Sequence, residues 1–197
     1  MVKTIETNRL GKALKAEHEH IHKYIMLHPK RIKKYGLIVF LLVLGFSSNA
    51  AIYFTRASGD WNNTSTWSTA GYGGAAAAST PGSAPGDIVM LSGVTVTLTA
   101  TPANSLASII ISQNYNSGND TRLLLNTSGT TLTCSSLSMT DNDRNNNVEL
   151  EISDGTLQVN GSASFTRTTS NNRSRYVRLN IHTTGRMNVT SNLNYTY

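Results

Sequence analysis

Residues 51–197 of this 197-residue chain predict an all-β fold, specifically a parallel β-helix with about 26–30 residues per coil, and three observations predict it. Apolar residues stand at every second position in VTVTLT, VELEIS, TLQVN, YVRLNIH and GRMNVT, the period of a half-buried strand. Ser, Thr and Asn supply 61 of the 147 residues after Ala50, a composition that suits polar outer faces and turns. The third observation is internal repetition. Segments starting at Arg122, Val148 and Val177 each read as strand, glycine turn, strand, polar turn, strand.

The offset inside the repeat is constant. From Gly129 to Met139, Gly155 to Phe165 and Gly185 to Tyr195 it is ten residues, and a Thr follows each endpoint. The copies lie 26 and then 30 residues apart, within the range of solenoid coils. Three short strands per coil imply a three-sided stack with about 4.8 Å between coils. Met139, Phe165 and Tyr195 are then one inward ladder, Leu157 over Met187 and Val159 over Val189 are two more, and Thr140, Thr166 and Thr196 are expected at a corner. The first copy is one residue out of phase between Gly129 and Leu132. Equally short strands also allow an antiparallel β-sandwich, which has no reason to repeat at a fixed offset.

Charge divides the chain ahead of these strands. The first 34 residues hold nine Lys or Arg against three acids, whereas residues 51–197 hold eight Arg, no Lys and eight acids, so the formal +6 belongs to the leader. A basic nucleic-acid-binding domain is excluded on that partition. HPKRIKKYG, the apolar run Leu37 to Phe46, and SSNA followed by Ala51 have the three parts of a secretory signal, with cleavage expected between Ala50 and Ala51. The ten-residue apolar run is short for a membrane span, which needs about 20, so an uncleaved leader is the only route by which the chain would meet a membrane. Starting at Met26 gives a signal of ordinary length, and residues 1–25 read as a start-site extension. That removes His18, His20, His22 and His28 as metal ligands, since only His18 and His22 share a helical face.

Residues 51–86 read as an end-closing motif and a Gly, Ala, Ser and Pro loop, with Ala75 to Ala78 its only candidate helical turn, and residues 87–197 as the coils. The lone Cys134 lies in an alternating stretch and reads as a small buried hydrophobe. With His182 the only histidine after Ala50, a catalytic thiol has no expected partner.

SGDWNNTSTWS, followed by PGDIVMLSGVTVTLT and SLASIIIS, resembles the opening of large secreted repeat proteins of Bacteroidetes-type bacteria. The same residues are similar to the eight-glycine domain of extracellular proteins. The resemblance covers Phe54 to about Ser112 and implies export by the type IX route and a right-handed β-helix body. It further implies a longer protein of which residues 51–197 are the front end, with downstream repeats of the same chain as packing partners.

Four groups of residues invite chemistry. Trp61 and Trp67 flank a polar turn and suit either a platform for a sugar ring or a lid on the open end of the stack, the lid being the reading the resemblance favours. Asp141, Asp143 and Asn145 space oxygen ligands as a hard cation such as calcium requires, but the loop lacks the glycine and terminal Glu of an EF-hand and reads equally as a solvated connection. No other cofactor is expected. Arg173, Arg175 and Arg178, with Arg167 and Arg186, could grip an acidic polysaccharide, or pair with Glu149, Glu151 and Asp154 of the neighbouring coil. Asp141 and Asp143 are the only close Asp pair and have no nearby His or Lys base, which argues against an enzyme. The expected function is an exported or cell-surface, adhesin-like structural segment. The competing expectation is the front coils of a secreted polysaccharide-degrading lyase or glycosidase.

Overall fold

The computed structural model describes residues 49–113, 119–141, 146–167 and 176–196. The start-site extension, the leader up to residue 48 and its histidines lie outside the described residues, and Asn49 and Ala50 are exposed. Among the described residues no helix is long and apolar enough to cross a membrane.

Twelve strands follow in chain order. β1 is Ile52–Thr55, β2 Gly59–Asp60, β3 Trp67–Ser68, β4 Ile88–Leu91, β5 Thr95–Leu98 and β6 Leu106–Ser112. β7 is Thr121–Asp141, β8 Val148–Val159, β9 Ala163–Arg167, β10 Val177–Ile181, β11 Arg186–Val189 and β12 Leu193–Thr196. Every pairing is parallel except β1 with β3, so the chain is a β-solenoid and the antiparallel sandwich is excluded.

Three faces build the stack. The first runs from β2 through β5, the start of β7 and the start of β8 to β10, with Val96, Leu123, Leu150 and Leu179 in register. The second joins residues 131–134 of β7, residues 156–159 of β8 and β11, placing Leu132 over Leu157 over Met187. The third runs through β1, β4, β6, the end of β7, β9 and β12. Alternation along each strand sends every second side chain inward. Val96, Leu123, Leu150, Leu132, Leu157, Ile109 and Met139 are all fully buried, and each such side chain contributes roughly 1.5–3 kcal/mol.

The expected ladders form as the spacing required. Met139 pairs with Phe165 and Phe165 with Tyr195, and Val159 lies over Val189. One placement differs: Thr140, Thr166 and Thr196 pair within the third face, near its end, instead of turning a corner. Their preceding residues point inward, so strand alternation turns these threonines outward. The phase error in the first copy is absorbed by irregularities between Leu125 and Asn126 and between Asn126 and Thr131. A bulge lets an extra residue loop out while both flanking strands keep their inward sets.

Glycine marks the first corner for two different reasons. Gly129 and Gly155 take φ of 75° and 86°, a left-handed conformation that a side chain resists. Gly185 does not, but a Cβ there would lie 1.9 Å from the Ile152 carbonyl oxygen of the coil beneath. The stack also starts earlier than the expected boundary at residue 87, because β1 and β2 already pair with β4 and β5. Ala75 to Ala78 form no helical turn. The single helical turn among the described residues is a 3-10 turn at Thr64–Thr66, capped by the Asn63 side chain.

Candidate functional site

Two structures on the stack gather polar and aromatic groups: the closed end near β1 and a charged ladder on the first face. At the closed end, Trp61 continues β2 by donating its backbone N–H to Thr97 O at 2.8 Å. The 3-10 turn then reverses the chain so that β3 runs antiparallel against β1. Trp61 and Trp67 meet edge to face at 5.0 Å and both are 0% exposed. Trp67 Nε1 donates to the Trp61 carbonyl at 2.7 Å, and Trp61 Nε1 donates to the Pro81 carbonyl at 3.1 Å. The sugar-platform expectation is therefore corrected. A ring face that stacks on a pyranose must be open to solvent, and these two are spent on covering the interior, as terminal coils require.

The charged ladder lies on the outer side of the first face, where register places Arg122 beside Glu149 and Glu149 beside Arg178. Arg122 Nε donates to Glu149 Oε2 at 2.7 Å and its Nη2 to Glu151 Oε2 at 3.1 Å, so one guanidinium spans two carboxylates. Glu149 Oε1 accepts from Asn180 Nδ2 at 2.7 Å and faces Arg178 Nη1 at 3.8 Å. His182 Nε2 lies 3.3 Å from Glu151 Oε1, and the Arg178 guanidinium sits 3.8 Å over the Tyr176 ring. Glu149 is only 6% exposed although it points outward, because long side chains of the coils on either side cover it.

This geometry fixes charge instead of freeing it. Two carboxylates two residues apart on one strand face repel, and Arg122 offsets that by bridging them. Both Glu149 oxygens are engaged, which leaves little of the free lone-pair capacity that a general base needs. Arg122 and its bridging role are absent from sequence reasoning. The repeat offset of 26 residues sets Arg122 opposite Val148, and only the register shifts between Leu125 and Thr131 bring it beside Glu149.

The other expected site residues separate. Arg178 is on the first face, Arg186 opens the second and Arg167 ends the third, so these three form no single patch; Arg173 and Arg175 lie outside the described residues. Asp141 ends β7 with its side chain fully buried, opposite Arg167 in register, while Asp143 and Asn145 lie outside the described residues. Among the described residues no three His, Cys, Asp or Glu side chains are grouped to hold a metal ion. Asp154 and Arg186, with Thr130 and Thr184, line an open polar depression of about 290 Å³ at the corner between the first and second faces. Cys134 is buried in the second face, and burial pushes its thiol up to about 12, which keeps it protonated and inert. No family model matches the chain, and neither curated proteins nor solved structures give a match.

Proposed function

We propose that residues 51–197 are an exported, non-enzymatic, adhesin-like segment of a cell-surface protein, a stiff stack whose outer faces meet extracellular polysaccharide or another surface. The observation that carries this reading is the Arg122–Glu149–Arg178 ladder with its Glu151 and His182 flank. Cross-coil pairing fixes these side chains over a dry apolar interior, which suits display of a rigid, repeating pattern of hydrogen-bonding groups. Downstream coils and the type IX route belong to the same proposal and rest on the resemblance alone.

The test uses the exported protein with immobilised polygalacturonate, chondroitin sulfate and cellulose. Retention on one of them, with no new reducing ends and no unsaturated uronate released, is the expected outcome. The competing reading, front coils of a polysaccharide-degrading enzyme, draws on the gathering of Glu149, Glu151, Arg122 and His182 on one face. Release of such products, lost in Glu149→Gln, would establish it in place of the structural role.

A further inference from the structure

We propose that export cleavage creates a structural ion pair, in which the new α-ammonium group of Ala51 docks on the buried carboxylate of Asp87. The inference rests on the export reading above and on an arrangement that is otherwise unexplained. Asp87 is 0% exposed, at the junction between the loop that covers Trp61 and the first residue of β4. Its Oδ2 accepts from the Gly82 N–H at 2.9 Å and the Ala84 N–H at 3.4 Å. Its Oδ1 accepts from the Ala51 N–H at 2.9 Å. Among the described residues no Lys, Arg or His side chain pairs with it.

A buried carboxylate satisfied only by neutral amides lacks the opposite charge that such groups ordinarily have. The sequence places its expected cleavage one bond away: Ala50 is exposed, and the nitrogen already 2.9 Å from Oδ1 is the one that hydrolysis converts to an amine. Peptide-bond hydrolysis adds water across the Ala50–Ala51 bond, leaving a carboxylate on Ala50 and an amine on Ala51, which takes up a proton near neutrality. No backbone movement is needed. The Ala51 carbonyl stays bound to the Ile88 N–H at 2.9 Å, and the Asp87 carbonyl to the Ala107 N–H at 2.8 Å, so β1, β4 and β6 hold both partners in place. The same carboxylate anchors residues 82–84, hence the loop whose Pro81 carbonyl receives Trp61, so the ion pair would lock the closed end only in the processed chain.

The lysine-free composition of residues 51–197 makes this directly measurable, because the α-amine is the only primary amine in that stretch and is read on its N-terminal peptide. The exported protein is first read at its N-terminus by mass spectrometry, then treated with acetic anhydride folded and in denaturant. The expected result is a terminus at Ala51 that acetylates at least ~10-fold more slowly in the folded protein, since each unit by which pairing raises the amine's pKa removes tenfold of its free base. Acetylated in denaturant and refolded, the chain should melt at least ~3 °C lower than the free form. In Asp87→Asn both differences should shrink; if that variant does not fold, the acetylation comparison in the unaltered chain stands alone. A terminus elsewhere would sink the export premise. A terminus at Ala51 that labels at the unfolded rate, or whose acetylation leaves the melting temperature unchanged, would overturn the ion pair while leaving export intact.

Discussion

The first and the last described coils of the stack are built from similar residues and treat them in opposite ways. At the first, β3 turns back on β1 and the Trp61–Trp67 pair lies beneath the Ser79–Gly86 loop, leaving both rings fully buried. At the last described coil, Ile181, Leu193 and Tyr195 are 48%, 47% and 52% exposed. Tyr195 belongs to the same ladder as Phe165 and Met139, which are 4% and 0% exposed, and its ring stacks on Phe165 at 5.0 Å. Burial in a solenoid is therefore conferred by the neighbouring coil rather than by the residue type.

The largest effect that would break this comparison is at the closed end. Trp61→Ala or Trp67→Ala should lower stability by about 3–5 kcal/mol, read by urea denaturation, because each removes a buried ring and frees polar groups around the other. Loss of under about 1 kcal/mol would mean the pair does not close the stack. The next contrast is within one ladder: in a protein ended at Tyr197, Phe165→Ala should cost about 3 kcal/mol and Tyr195→Ala under about 1 kcal/mol. Equal losses would deny that stacking sets the energetics.

A smaller effect is expected on the outer face. Glu149→Gln should cost about 1 kcal/mol and make stability less sensitive to salt, since Arg122 and Arg178 are themselves partly exposed and screened. Salt titration of the melting temperature in both proteins checks it. The smallest concerns Cys134. Its thiol should react with a disulfide reagent at pH 8 only as fast as the protein unfolds. Because the folded thiol is held up to about 12 while an unfolded one ionises near about 8.5, its contribution is present below that lower value and declines as pH rises through the window between them. Cys134→Ala should remove that part of the alkaline decline, and an unchanged profile would contradict it.

The repeat made the second and third faces legible before any coordinate, since a fixed ten-residue offset from glycine to the third strand dictates which residues stack. It fared worse where coils differ in length. Tyr53, Val89 and Ile109 are stacked on the third face although the segments that carry them have little in common, because β1 and β4 are separated by the long loop and the cap. The charged ladder was half legible: Glu149 and Glu151 were expected outward and available to arginine, but the bridging cation comes from Arg122, in the coil on the other side from Arg178. Asp87 was visible only as part of PGD. Its carboxylate is held by Gly82 and Ala84 of the loop just before it and by Ala51, 36 residues upstream, and no local pattern encodes that last contact.

The sequence by itself determined the period, the inward set and the chemical character of the outer faces, because a strand's two-residue alternation and a coil's repeat are local properties. Only the tertiary structure decided where the stack closes, that both tryptophans face inward, that the arginines fall on three faces, and that Ala51 and Asp87 meet. Each of those depends on how many residues the corners between strands consume, and alternation carries no record of that count.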